Sequence, residues 1–170
     1  MPENTVYRFK KFIRDKKLLT RENVVLLAVS GGLDSVVMAH LFSETNFPFA
    51  IAHCNFGLRG NESDVDAKFV EELAGKFGVP FHTKKFQTKA EAGKKRVSIQ
   101  MAARELRYDW FEELCREHGY NYIATAHHSQ DTAETILLNM VKGAVLKGLR
   151  GISPKTGNVV RPLLWANKET

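Results

Sequence analysis

The chain has 170 residues, of which 44% are apolar and 26% charged, a balance typical of one soluble globular domain. No apolar run approaches the roughly 20 residues that a membrane helix needs, so we expect no membrane partner. A formal net charge of +6 favours a polyanionic partner without identifying it. The N-terminus is charged throughout, unlike a signal peptide, and Cys54 and Cys115 fit neither a CxxC nor a zinc pattern. We therefore expect a cytoplasmic protein with two reduced thiols.

Predicted strands and helices alternate along the chain. Apolar β-rich runs predict strands at 24–29, 49–54, 81–86 and 122–126. Helical periodicity predicts helices around 6–13, from Asp34 or Ser35 to 44, from 63 to 77, from a Ser98 cap to 118, and from Asp131 onward. The buried face of the third helix is expected to carry Val65, Phe69, Leu73 and Phe77. The basic stretch at 84–96 is expected to be an exposed loop that could contact RNA phosphates.

This alternation predicts a doubly wound α/β fold, with a mainly parallel sheet and helices on both faces. Ligands of such sheets bind beyond the carboxyl ends of the strands. The loops that follow Val29, Cys54 and Ala126 are therefore the expected place of a functional site.

The motif SGGLDS lies between the first predicted strand and the next helix. Two glycines allow a tight turn and close approach to a ligand, and the helix start offers N–H groups to an anion. The motif lacks the GKS/T ending of a Walker A loop and the spacing of GxGxxG. An acid beside a phosphate suggests an intervening divalent cation, which makes Asp34 a candidate Mg²⁺ ligand. A plain strand–helix turn with an Asp or Ser cap is the alternative. The candidate ATP-phosphate residues are Ser30, Gly31, Gly32, Leu33, Asp34 and Ser35.

SGGLDS resembles the pyrophosphate-binding motif of the ATP pyrophosphatases (PP-loop or adenine nucleotide α-hydrolase-like enzymes), which cleave ATP between the α and β phosphates. Three further segments resemble the lysidine synthetase family in particular. They are HCNFGLRGNESD at 53–64, ARELRY at 103–108, and TAHHSQDTAET at 125–135 followed by GLRGI at 148–152.

The resemblance implies roles for four further residues, each with a plainer alternative. Arg59 and Arg107 would contact substrate or phosphate, although the first could be only a solvated loop residue and the second an exposed helical charge. Asp131 and Glu134 have the spacing of a helix capping pair. By resemblance they could hold Mg²⁺ or the substrate lysine, with Asp131 catalytic alongside Asp34 and Arg107. The sequence departs from the family at Gln130, where an acid is usual.

By resemblance, the reaction adenylates O2 of a cytidine in tRNA(Ile) with a CAU anticodon and then joins L-lysine to C2. ATP and Mg²⁺ are the implied cofactors. Residues 1–170 would be a single catalytic domain, cut short before tRNA-binding domains, and a homodimer stays open. Two alternatives remain: another ATP pyrophosphatase that acts on tRNA, and a nucleotide- or tRNA-binding module without turnover.

Overall fold

A computed structural model describes residues 3–58, 60–131 and 151–166 of the chain. Helices and strands alternate through most of this length. In chain order they are α1 (Glu3–Asp15), β1 (Val25–Ala28), α2 (Leu33–Ser43), β2 (Phe49–Asn55), α3 (Asn61–Phe77), β3 (Phe81–Lys85), α4 (Thr88–Lys95), α5 (Ile99–His118), β4 (Tyr122–Ala124), β5 (Lys155–Thr156) and β6 (Val159–Val160).

The strands form one sheet, which within the described residues has the order β3-β2-β1-β4-β6-β5. Every neighbouring pair is parallel except β5 and β6. The chain moves outward from β1 to β2 and β3 and then returns to place β4 on the other side of β1. The predicted doubly wound, mainly parallel sheet is confirmed.

Helices cover both faces of the sheet because successive side chains of a strand point to opposite faces. Val25 and Leu27 of β1 pack with buried side chains of α1, α2 and α3. Leu26, between them in sequence, packs with Trp110 and Phe111 of α5. All three β1 side chains are fully buried, as expected for a central parallel strand.

The buried face of α3 differs from the one predicted. Val65 and Phe69 are 66% and 44% exposed, whereas Val70, Leu73 and Ala74 are buried. A spacing of four residues advances 400° around a helix, so a run of such steps drifts away from the core by about 40° per step. The side chains that stay against the sheet follow the mixed spacing of three and four residues, as an apolar helix stripe requires.

The stretch at 84–96 is also not the exposed loop that was predicted. Residues 88–95 form α4, which is anchored by the buried side chains of Thr88 and Ala92. The Thr88 hydroxyl donates to the carbonyl of Phe56 at 2.9 Å. Because only two small side chains of α4 are buried, its sequence shows little apolar periodicity, and the helix was not predicted. The predicted cap of the next helix is confirmed, since Ser98 Oγ accepts from the Met101 N–H at 3.2 Å.

Among the helices described, none is long and apolar enough to cross a membrane.

Two substitutions test the face of α3 that packs on the sheet. We expect Leu73→Ala to lower the free energy of unfolding by about 2–5 kcal/mol, because it leaves a cavity in the core. Val65→Ala, on the exposed side of the same helix, should change it by no more than about 0.5 kcal/mol. Urea unfolding of both variants measures the difference, and equal losses would contradict the observed face.

Candidate functional site

The SGGLDS loop at residues 30–35 joins the carboxyl end of β1 to α2. Gly31 adopts a φ of +91°, a conformation that L side chains rarely adopt, and a Cβ there would lie 3.5 Å from the Asp66 side chain. Gly32 is the N-cap of α2. The alternative of an Asp34 or Ser35 cap is therefore wrong. Glycine at the cap leaves the first N–H groups of the helix open toward a ligand.

Serine hydroxyls fix the shape of this loop. The buried Ser35 side chain donates to the carbonyl of Gly32 at 2.8 Å and accepts from the Ser30 N–H at 3.2 Å. Ser30 Oγ lies 3.2 Å from Ser35 Oγ and accepts from the Gly32 N–H at 3.3 Å. Ser35 thus stabilises the turn from inside, while the exposed Ser30 remains accessible from the solvent side.

A cleft with two chambers opens at the carboxyl ends of the parallel strands. The inner chamber has a volume of about 360 Å³ and extends toward β4, and the outer one has a volume of about 450 Å³ and extends toward α3. Each is within the size range of small-molecule sites. The two chambers share the residues Ser30, Gly32, Cys54, Phe56 and Arg107.

Small side chains make room for the inner chamber. Ala28 of β1 and Ala52 of β2 lie directly beside each other in the sheet register. Both line the chamber, together with the buried Phe111 from α5. These apolar walls suit a planar base, while the SGGLDS loop at the same chamber offers N–H and hydroxyl donors.

Asp34 and Asp131 meet at one buried histidine. His128 Nε2 lies 3.7 Å from Asp34 Oδ2 and 3.5 Å from Asp131 Oδ2. The other ring nitrogen, Nδ1, lies 3.2 Å from the N–H of Gln130, and Asp131 Oδ2 accepts from the His128 N–H at 2.8 Å. This reciprocal pair has the form of a capping box, with histidine in the place of the usual Ser or Thr. The helical turn begins at 129, before Asp131, which was predicted to open it. The predicted partner in the capping pair, Glu134, lies outside the described residues.

Arg107 projects from α5 between the two chambers. Its guanidinium carbon lies 5.2 Å from the centroid of the Phe56 ring, within cation–π range. The other neighbour of Phe56 is Phe86, which stacks on it at 5.6 Å. Arg104 lies on the exposed side of the helix. Arg107, which was predicted to contact a ligand, lines the cleft.

Cys54 also lines both chambers. Burial raises the pKa of its thiol to about 12, although the positive charge and hydrogen bond of Arg107 act in the opposite direction. Thiolates, not thiols, are the reactive form of cysteine. Cys54 is therefore a neutral wall residue, and both it and Cys115 are free thiols.

A polar network holds the segment that follows β2. Buried Asn55 donates to Asp64 at 2.7 Å and accepts from the Gly57 N–H at 2.9 Å. Hydrogen bonds from Lys85 and Asn55 lower the pKa of Asp64. Two other predicted site residues, Arg59 in this segment and Glu134 after Asp131, lie outside the described residues.

His127 adds a polar group to the wall of the inner chamber. Its Nδ1 lies 2.9 Å from Thr125 Oγ1. Burial is the main cause that lowers its pKa, and the positive charges of Arg161, Arg104 and Arg107 lower it further, whereas Asp131 raises it. Arg161 was not predicted from the sequence, and it acts on the site through its charge near His127. The adjacent residues His127 and His128 were predicted to serve packing or ATP contacts, but the proximity of His128 to two carboxylates was not predicted.

Comparisons with known proteins show what this chain is similar to. The profile of the PP-loop domain family matches residues 1–170. The tRNA(Ile)-lysidine synthase of Bacteroides thetaiotaomicron is 44% identical over 162 residues, which cover 95% of this chain and 38% of the relative. That of Chlorobaculum tepidum is 46% identical, over 91% of this chain and 49% of the relative. The chain thus spans less than half the length of these two relatives.

A solved structure shares the fold. The U34-tRNA thiolase NcsA from Methanococcus maripaludis, solved with its [4Fe-4S] cluster, superposes with a TM-score of 0.75 at 22% identity. The match covers 99% of this chain and 62% of that chain. At this identity the likeness supports the arrangement of sheet and helices alone.

The environment of His127 can be tested by NMR titration of its ring. We expect a midpoint below the ordinary pKa of 6.5, moved upward in Arg161→Gln and unchanged in the control Arg116→Gln on the exposed side of α5. As the pH falls below 6.5, the unfolded chain protonates this histidine while the folded chain does not. The free energy of unfolding therefore decreases until the pH reaches the lower pKa of the folded state. A midpoint at or above 6.5 would contradict the described burial.

Proposed function

The chain belongs to the PP-loop domain family, and we propose that residues 1–170 are the single ATP pyrophosphatase catalytic domain of a tRNA(Ile)-lysidine synthase. In the proposed reaction, O2 of a tRNA cytidine attacks the α-phosphorus of ATP, and the α–β phosphoanhydride bond breaks to release pyrophosphate. The amine of L-lysine then attacks C2, the C2–O bond breaks, AMP leaves, and the amine loses a proton. The products are lysidine, AMP and pyrophosphate.

One observation carries the proposal. The SGGLDS loop with its Asp34, Arg107 and Asp131 come from three separate parts of the sequence and line the same chamber at the carboxyl edge of the sheet. Chance placement on a fold of this kind would scatter them over both ends of the strands. The identity of 44–46% to two lysidine synthases supports the choice of this reaction within the family.

The loop and Arg107 would act on the phosphates. Open N–H groups at the start of α2 and the Ser30 hydroxyl donate to phosphate oxygens, where the helix dipole favours negative charge. Arg107 neutralises charge that grows on the leaving pyrophosphate. Since the loop is held by Ser35 before any ligand binds, these donors need little rearrangement during the reaction.

The carboxylates fit a magnesium ion that is completed by substrate. Asp34 and Asp131 offer hard oxygen ligands, and their side chains are 48% and 35% exposed at the cleft. In the described part of the chain, no three metal-binding side chains form a ready-made site. Mg²⁺ is often held by one or two carboxylates plus phosphate oxygens, and it would supply positive charge to the pyrophosphate as it leaves. Asp34 would be the metal ligand, and Asp131 would bind the metal or the lysine ammonium group.

Two further assignments rest on the resemblance. Arg59 would contact the tRNA, and Glu134 would join Asp131 in binding lysine. A cytoplasmic location follows from the proposed tRNA substrate, and the homodimer stays a prediction.

Gln130 directly precedes Asp131 in the sequence, at the position where the family usually has an acid. Its side chain is exposed, and its contribution to the site is the backbone N–H that points to His128. With glutamine at this position, Asp34 and Asp131 still lie beside His128. The binding module without turnover stays the alternative that the next experiment tests.

The decisive experiment measures pyrophosphate release from ATP with Mg²⁺ and lysine, with and without a tRNA(Ile) transcript that carries a CAU anticodon. We expect release that requires this tRNA and falls at least about 100-fold in Asp34→Asn, because a charge at the reacting phosphates is lost. Asp109→Asn, on the exposed side of α5, is the control and should keep full activity.

Each other outcome points elsewhere. Release that accepts unrelated tRNAs and ignores lysine would indicate another PP-loop enzyme. ATP binding without release under any condition would indicate a binding module. Full activity of Asp34→Asn would refute its metal role.

A tRNA thiolase would depend on cysteine chemistry, so the two thiols provide a second test. Burial raises the pKa of both, to about 12 for Cys54 and about 11 for Cys115. We expect Cys54→Ala and Cys115→Ala to keep pyrophosphate release within about threefold of the unchanged chain, because neutral thiols are not the reactive form. Loss of turnover with retained ATP affinity in either variant would favour sulfur chemistry instead.

A further inference from the structure

A second, basic groove lies on the N-terminal helix, away from the cleft. Tyr7, Lys10, Lys11 and Arg14 follow one another on α1 at spacings of three, one and three residues, so they share one face of the helix. Together with Arg21 and residues 45–47 they enclose a volume of about 420 Å³. Neither the PP-loop motifs nor the proposed reaction gives this groove a role.

Contacts with neighbouring residues hold the backbone on two sides of the groove in place. The Thr45 hydroxyl donates to the carbonyl of Phe42 at 2.6 Å, and the Phe47 ring packs edge-on against the buried Phe42 ring at 6.3 Å. On the other side, the N–H of Thr20 donates to Asn23 Oδ1 at 2.8 Å and fixes the turn that carries Arg21. The backbone on two sides of the groove is therefore fixed by local contacts, and it carries exposed basic side chains.

The charge of the groove is strongly positive. Its lining holds four cationic side chains and no carboxylate. Asp15, just outside, hydrogen bonds to Lys11 and Arg14. Within the described residues, neither Lys10 nor Arg21 has a carboxylate partner. Four positive charges against one negative charge leave the groove ready for a ligand with several negative charges.

The shape of the charged surface favours a repeating anion. From Tyr7 to Arg14 the helix rises about 10 Å at 1.5 Å per residue, a distance over which a nucleic acid strand presents about three phosphates. The Tyr7 ring, 61% exposed at one end of this row, offers a stacking surface for an unpaired base. An acidic peptide would match the charges of the groove but has no base that could stack on the Tyr7 ring.

A membrane surface fits less well. The apolar face of α1 is used inside the protein, since Phe9 and Ile13 are 0% and 1% exposed. An amphipathic helix binds lipid by inserting such a face, so α1 has only its polar side to offer.

We propose that this groove binds the phosphate backbone of RNA at the end of the molecule opposite the cleft. The groove is lined by residues that follow α2, whereas the SGGLDS loop precedes it, and an eleven-residue helix separates the two by about 16 Å. One RNA that occupies both sites must therefore extend along the α1 and α2 side of the protein. The inference needs only RNA binding and does not rest on the proposed adenylation chemistry.

The test is binding of a fluorescently labelled tRNA transcript to the full chain, followed by anisotropy over a range of salt concentrations. We expect Lys10→Ala with Arg21→Ala to weaken binding about tenfold or more and to reduce the salt slope by about 1.5, because two phosphate contacts are lost. Lys68→Ala with Lys76→Ala, an exposed pair on α3 with the same charge change, is the matched control and should bind as the unchanged chain does. Tyr7→Leu should weaken binding with the slope unchanged.

ATP affinity, measured in parallel without RNA, should be equal in all of these variants and reports that the cleft is intact. Equal RNA binding by the Lys10/Arg21 variant and its control would overturn the proposal, as would a chain that binds no RNA. Competition by polyglutamate at the same charge concentration as RNA, or tighter binding to phosphatidylserine vesicles than to tRNA, would also overturn it, in favour of an acidic protein or a membrane. Loss of pyrophosphate release with normal tRNA binding would refute the proposed reaction and leave this inference standing.

Discussion

The position of β1 at the centre of the parallel sheet is the constraint on which the site depends. Because β2 and β4 flank it with the same direction, three carboxyl ends meet at one edge. The chain reverses its winding between these strands, which leaves a crevice where no crossover helix covers the edge. The SGGLDS loop enters that crevice from β1, Cys54 and Phe56 enter from the β2 side, and His127 and Asp131 enter from the β4 side.

Helix caps and aromatic packing hold the charged and polar side chains of the cleft in position. His128 caps the helical turn at 129–131 and places its other ring nitrogen near two carboxylates. Arg107 is steadied by the Phe56 ring, which is itself packed on Phe86. Such supports reduce the entropy that a ligand would otherwise lose in ordering these groups. The site is therefore largely formed by folding itself.

The sequence predicted an element correctly where its local residue pattern matches the burial of that element in the fold. The run at 24–29 predicted β1 because a strand buried on both faces is apolar throughout, and Gly31 and Gly32 marked the turn because few other residues allow it. The face of α3 was predicted wrongly because a strict four-residue spacing turns away from the sheet, and α4 was missed because only Thr88 and Ala92 anchor it. The position of His128 between two carboxylates was not predicted, because its contact with Asp34 joins two segments that are far apart in the sequence. Only its contact with Asp131 has a helical spacing.

At the alanine pair of the inner chamber, the stability of the sheet and the space for a ligand favour different residues. Ala28 and Ala52 are neighbours in register at a point where β-branched residues would favour strands and bury more apolar surface. Larger side chains here would occupy the space that a base needs while leaving the sheet intact. Selection for stability alone would favour valine or isoleucine at these positions, so two alanines here are what the proposed binding of a base would require of the sheet.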